Sequence, residues 1–270
     1  MAKYSMKLAN NELHKVLFIS IPKCGTHLGL KLLDAAGLVF IGHPNAVQPS
    51  DNLISYLYDL RPGTYNAWHF FWTEELSNII QSHEIKIVFF YRDPRAQLTS
   101  NMHFIKKTPQ HPLHHYISEI LNSDEDRMIA LIMGFNEYYG PVKGNVVEAG
   151  IGPYSELPGG LNNLYRTYSR WLTEPNTMTV RFEDIIGSCG GGNDDAQRKT
   201  IHEILSFIGV SSSDSMVETL CSTLYDRNSV TFNKGRIDSW KEDFTPRIEE
   251  VFRRQCSELM KLWGYEFTEK

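Results

Sequence analysis

The chain has 270 residues, of which 41% are hydrophobic and 22% charged, with a formal net charge of −5. This suits one globular domain spanning residues 1–270 and excludes a disordered chain, while the acidic balance offers no electrostatic ground for a nucleic-acid partner or an anionic membrane. The apolar runs are far too short to cross a bilayer, no secretory leader is visible in the opening stretch, and Cys24, Cys189, Cys221 and Cys256 lack C-x-x-C spacing; together these place the protein in a reducing cytoplasm.

Taken in chain order, Val16–Ile21 is a short β-branched run that predicts a buried parallel strand. A glycine turn follows, and Leu28, Leu30, Leu32, Leu33 and Leu38 predict a helix ending near Gly37, so the segment opens a βα unit. Residues 40–66 are rich in Pro and Gly and read as mostly loop. Glu74–His83 predicts a helix leading into a second buried strand, Ile85–Tyr91, and Pro94 is placed to open the next helix. Ser123-Asp124-Glu125-Asp126 reads as a capping box ahead of a helix over Arg127–Phe135. Residues 140–160 read as a mobile loop. Leu161, Leu164, Tyr165, Tyr168, Trp171 and Leu172 lie on one helical face. Met178–Phe182 predicts a third strand, Gly190-Gly191-Gly192 a surface turn, and Asp194 or Asp195 a cap for the helix running to Ile208. The last helix is expected over Arg247–Leu262. Strands alternating with helices imply an α/β fold, a central parallel sheet flanked by helices.

Three segments carry charge where chemistry could use it. Ile21-Pro22-Lys23-Cys24-Gly25-Thr26-His27 joins a strand to a helix, so backbone N–H groups at a helix N-terminus, the Lys23 ammonium and the Thr26 hydroxyl converge on an anion-sized space. The loop is too short for the G-x-x-x-x-G-K-[ST] pattern of nucleoside-triphosphate P-loops. Arg92 ends the second strand at the same sheet edge, and Ser100 lies two turns into the following helix; the pair could grip one phosphate, or Arg92 could simply close a salt bridge with Asp93 or a neighbouring carboxylate. Phe232-Asn233-Lys234-Gly235-Arg236-Ile237-Asp238-Ser239-Trp240-Lys241 is a basic, glycine-containing segment that could fold over an anion or merely be solvated.

In their order and spacing these segments resemble the PAPS-dependent sulfotransferases, which use 3′-phosphoadenosine-5′-phosphosulfate as sulfuryl donor. IPKCGT is similar to the family's 5′-phosphosulfate loop, Arg92 and Ser100 to its 3′-phosphate site, and NKGRIDSWKEDF to its late basic loop. VRFED (180–184) resembles the family's RYED strand and Leu262-Trp263-Gly264-Tyr265 its LGY ending. The resemblance implies a P-loop-like nucleotide-binding sulfotransferase fold, in-line transfer to an acceptor hydroxyl, and no metal. His69 lies where cytosolic members carry a general base, although among Trp68, Phe70, Phe71 and Trp72 it also reads as a buried core histidine. Lys23 would stabilise charge on the leaving nucleotide. Lys23, Cys24, Gly25, Thr26, His27, Arg92, Ser100, Asn233, Lys234, Gly235 and Arg236 would hold the donor.

The chain also departs from the pattern. Cys24 replaces serine, His27 and Leu28 replace Thr and Trp, so an aromatic on which adenine stacks is missing, and Phe182 is the substitute considered. Asn233 stands for arginine, for which Arg236 could compensate, and Ala67 stands for a lysine ahead of the histidine. Lys241, Thr245, Pro246 and Glu250 echo a dimer motif and point to a homodimer, with Pro in place of Val. His111, His114 and His115 lack the carboxylate or thiol company of a metal site and read as a polar surface loop. The acceptor is expected to be a small or carrier-bound alcohol facing residues 40–66, 104–125 and 140–160, the aromatics near His69 favouring an apolar one. A nucleotide kinase and a non-catalytic nucleotide-binding module are the alternatives.

Overall fold

A computed structural model of the chain describes residues 13–41, 56–134, 160–225 and 235–267. Strands β1 (Val16–Ser20), β2 (Val39–Phe40), β3 (Thr64–Trp68), β4 (Lys86–Tyr91) and β5 (Thr177–Arg181) form one five-stranded, all-parallel sheet in the order β2-β3-β1-β4-β5. The helices are α1 (Thr26–Ala35), α2 (Glu74–Ser82), α3 (Pro94–Lys107), α4 (Asp124–Met133), α5 (Gly160–Tyr168), the single-turn α6 (Phe182–Ile185), α7 (Asp194–Phe207), α8 (Asp214–Leu224) and α9 (Pro246–Leu262). This is the α/β architecture the alternation of patterns implied.

Every residue of β1 is buried because the strand lies between β3 and β4 and is covered on both faces, which is why its sequence is a continuous apolar run rather than an alternation. Leu17, Ile19, Ile87 and Phe89 pack with Ile80 of α2, Met102 of α3, Ile129 of α4, Leu164 of α5 and Phe252 of α9. Val16, Phe18, Val88 and Phe90 pack on the opposite face with Leu32 and Leu33 of α1, Ile201 and Ile204 of α7, and Val217 and Leu220 of α8. Alternate residues of each strand thus feed two separate cores.

Strand order also positions the site. The chain leaves β1 through α1 toward the β2–β3 side, whereas it leaves β4 toward β5. The loops after β1 and β4 therefore part from each other and open a crevice at the carboxyl ends of the strands.

Local boundaries differ from the sequence expectations in a few places. Residues 64–66, the end of the 40–66 segment read as mostly loop, belong to β3; its TYNAW sequence gives no apolar run, but pairing with both β1 and β2 recruits it into the sheet. The Ser123 cap is present, its hydroxyl accepting from Asp126 N–H, so the helix begins at Asp124 rather than Arg127. Asn193, not Asp194 or Asp195, caps α7 by accepting from Ala196 N–H. Phe182 opens a helical turn instead of ending β5. Gly190 is buried, because a side chain there would strike Ile186 and the Gly235 carbonyl, so the triple glycine is not simply a surface turn. Of the expected mobile loop, 140–160, residues 140–159 lie outside the described residues, as does Phe135, and Gly160 opens α5.

Candidate active site

The turn between β1 and α1 is shaped by two left-handed residues, Lys23 at φ 69° and Gly25 at φ 95°. For lysine this conformation is sparsely populated, and such strain is concentrated at functional positions. Gly25 is required on a second count, since a Cβ there would lie 2.9 Å from the Phe182 ring. Gln97 of α3 pins the turn by donating to the Pro22 carbonyl at 3.0 Å. Gly25 sits at the N-cap of α1 without a side-chain cap, whereas Thr73, Asp93, Ser123, Asn193, Ser213 and Thr245 cap α2, α3, α4, α7, α8 and α9. The first-turn amides of α1 are therefore left to an outside acceptor, which suits an anion.

Lys23 stacks its ammonium over the Phe104 ring, 4.1 Å from the centroid. Burial pushes its pKa down to about 8; the Cys24 thiol opposes this, and the charges of Arg92 and Lys107 add to it. Cys24 is fully buried, and burial raises its thiol pKa far above the ordinary range, so it packs rather than reacts. His27 is exposed, with its pKa lowered by partial burial and by Lys23.

His69 follows the last residue of β3, one position beyond the Ile19–Trp68 pairing, and so emerges beside the end of β1. Its Nδ1 lies 2.7 Å from the Ser20 carbonyl oxygen and 3.4 Å from Ser20 Oγ, and Ser20 Oγ lies 2.8 Å from Thr26 Oγ1. The carbonyl can only accept, so Nδ1 carries a hydrogen and Nε2 is left with the lone pair. Burial lowers the His69 pKa, the bond to Ser20 opposes that, and Lys23 and His27 add to the lowering. Tyr168 donates to the His69 carbonyl and Trp171 to that of Phe70, which fixes the backbone carrying the imidazole.

Arg92 is buried and lays its guanidinium on the Phe182 ring, 4.2 Å from the centroid. One terminal nitrogen donates to the Arg236 carbonyl at 2.8 Å, and Nε has no partner among the described residues. Asp93 pairs with Arg95 rather than with Arg92, so the salt bridge expected as an alternative is not made with Asp93, while Glu183 lies close enough to feel the Arg92 charge. Phe182, buried and covered by the guanidinium, supports Arg92 instead of offering an open stacking face. Ser100 is half-buried on α3. Gly235 and Arg236 enter from the late segment, where the Arg236 side chain is committed to Glu242 at 2.8 Å. Asn233 and Lys234 lie outside the described residues.

Sequence reasoning missed several residues that hold these groups. Ser20 was passed over as part of an apolar strand; a lone hydroxyl at the end of a fully buried run was its only signal. The RFED and LGY segments turn out to touch: Tyr265 donates to Glu183 Oε2 at 2.8 Å, Glu183 Oε1 accepts from Asp93 N–H at 3.1 Å, and Arg181 lies over the Tyr265 ring. These contacts anchor the loop after β4. His111 is half-buried and packs edge-on against Phe104, and burial lowers its pKa to about 4. His114 Nδ1 bonds the Ile105 carbonyl, and His115 pairs with Glu119. No group of three or more His, Cys, Asp or Glu suited to a metal occurs among the described residues, and no described helix is long and apolar enough to cross a membrane.

The profile of the sulfotransferase domain matches residues 13–264, and the chain belongs to the sulfotransferase family. It is thus an enzyme of the sulfuryl-transferring class. Two curated relatives are cytosolic sulfotransferases 6 and 5 of Arabidopsis thaliana, each 22% identical over 93% of this chain, covering 80% and 81% of their own lengths. Among solved structures, a mouse sulfotransferase complexed with PAP (3′-phosphoadenosine-5′-phosphate) superposes with a TM-score of 0.64 at 15% identity, covering 92% of this chain and 84% of that one. A retinol dehydratase complexed with androsterone and PAP gives a TM-score of 0.56 at 15% identity, over 94% and 82% of the two chains.

Proposed function

We propose that this chain transfers a sulfuryl group from PAPS to the hydroxyl of a small or carrier-bound acceptor in the cytoplasm, with His69 as general base and without a metal. The observation that carries this reading is the His69 tautomer: Nδ1 is committed to the Ser20 carbonyl, so Nε2 is the basic nitrogen at the edge where Lys23 and the uncapped end of α1 converge.

The residues present fit a nucleotide that carries an anionic group at each of two positions. The α1 amides, Lys23 and Thr26 suit the 5′ group. Arg92, whose buried Nε has no partner among the described residues, suits the 3′-phosphate together with Ser100 and the Asn233–Arg236 segment. When bound, PAPS would supply the activated sulfuryl group and its leaving nucleotide. Lys23 and the α1 N-terminus then stand opposite the charge that grows as the sulfuryl group departs. Nε2 of His69 takes the proton of the attacking hydroxyl, and the Nδ1–H bond to Ser20 steadies the resulting imidazolium. Phe182 serves the nucleotide site by holding Arg92. Phe71, partly buried near His69, supplies apolar wall for an uncharged alcohol. Lys241 and Glu250 are exposed, as a homodimer through that segment requires.

His69→Ala is the direct test. It should retain PAP binding by calorimetry yet lose roughly 10²-fold or more of label transfer from PAPS to a panel of phenols and primary alcohols. The acid limb of the wild-type rate profile should fall below pH 6.5, in line with the lowered His69 pKa, because the base works only when neutral. Transfer undiminished in His69→Ala would remove the histidine from the mechanism; nucleotide binding with no transfer by any form would favour a non-catalytic module.

A further inference from the structure

Ser20 joins the two halves of the site through its side chain and its backbone at once. Its side chain is fully buried, its Oγ lies 2.8 Å from Thr26 Oγ1 and 3.4 Å from His69 Nδ1, and its carbonyl oxygen lies 2.7 Å from the same Nδ1. The hydroxyl therefore sits between the first residue of α1, which faces the anion loop, and the imidazole.

A hydroxyl donates one hydrogen, so the Ser20–Thr26 pair has two arrangements. When Thr26 has no outside acceptor, it can donate to Ser20. When an anion occupies the loop, the Thr26 hydrogen turns to that anion, and Ser20 must then donate to Thr26 Oγ1. This leaves Ser20 with lone pairs only on the side facing His69. Resting on the donor-binding reading above, we propose that Ser20 is a positioning residue that relays occupancy of the anion loop to His69. The occupied loop aligns Ser20 O–H toward Thr26 and Thr26 O–H toward the anion, which turns a Ser20 Oγ lone pair toward the His69 Nδ1–H as a second, longer contact at 3.4 Å beside its main bond to the Ser20 carbonyl. Bonds aligned in one direction polarise one another, so the imidazolium is better supported when the sulfuryl donor is in place than when it is absent. The base is thus strengthened only in the complex that can react.

The groups facing His69 are Lys23 from the β1–α1 turn, His27 from α1 and the Ser20 main chain, while Tyr168 from α5 bonds only its carbonyl. Lys23 and His27 act through space and are unchanged by a substitution at Ser20, which isolates the relay.

The test compares wild type, Ser20→Ala and Ser20→Thr, with the His69 imidazole titrated by NMR with and without saturating PAP, and PAP affinity measured in parallel. In wild type, PAP should raise the His69 pKa. In Ser20→Ala the rise should shrink while PAP affinity changes by less than about threefold, and transfer should slow by about threefold to fivefold, the worth of one weak hydrogen bond. Ser20→Thr, which keeps the hydroxyl, should restore both. Thr26→Val cuts the same link from its other end and should also shrink the rise, which keeps the test open should Ser20→Ala fold poorly. An equal rise and equal turnover in wild type and Ser20→Ala would overturn the relay while leaving donor binding intact. No PAP binding by wild type would overturn the donor reading and the relay with it.

Discussion

Lys23 places a cation in a left-handed turn, over an aromatic ring, beside Arg92 and Lys107, and its charge responds to pH on the alkaline side. With its pKa pushed down to about 8, it is charged at neutrality and loses its proton as pH rises through that value. Affinity for PAP should accordingly hold up to about pH 8 and fall above it, by up to about tenfold per pH unit. Lys23→Arg, which stays charged, should flatten the decline; calorimetry at pH 7 and pH 9 reads the difference, and an equal decline in both proteins would assign the effect to another group. At this scale the sequence exposed Lys23 and Arg92 because strand ends deliver them to one edge, whereas His69 stood out only through the family resemblance. Ser20 and Phe104 stayed hidden, since what matters in them is a partner brought near by the sheet and by α3.

Among the elements, α1 and β1 form the rigid seat of the site, and their contact depends on Gly29. A Cβ at Gly29 would lie 2.2 Å from Cζ of Phe18, a fully buried ring already set edge-on against Phe90. Alanine improves helix propensity by about 1 kcal/mol. Overpacking a core site costs about 1–3 kcal/mol, and here the obstacle is a ring with no room to yield. Gly29→Ala should therefore lower the melting temperature and the urea midpoint, despite the better helix former; an unchanged or higher midpoint would mean that α1 can lift from the sheet at little cost. The long apolar strands and the helices were legible because their periods are strong. β3 was not, since its TYNAW sequence carries Asn66 at a buried position and is held by pairing to neighbours that no local window contains. Asn193 was overlooked as a cap because two aspartates after it offered the same chemistry.

For the whole molecule, net charge and local charge point in opposite directions. A chain of net charge −5 gathers Lys23, Arg92 and the open end of α1 at one crevice, so anion affinity rests on placement. The family was readable from short segments far apart in the chain, and two of them prove to be in contact, Glu183 of RFED with Tyr265 of the closing LGY. Such a contact is invisible to spacing, but it explains why a C-terminal tyrosine belongs to the same pattern as the RFED segment at the end of β5, whose Glu183 also accepts from the Asp93 N–H beside Arg92. The central claim is that this crevice binds the nucleotide of PAPS. The most direct measurement is magnesium-free calorimetric titration of wild type, Lys23→Ala and Arg92→Ala with PAP. Tight binding by wild type, weakened by both substitutions, is the expected result; no binding, or binding indifferent to Arg92, would contradict it.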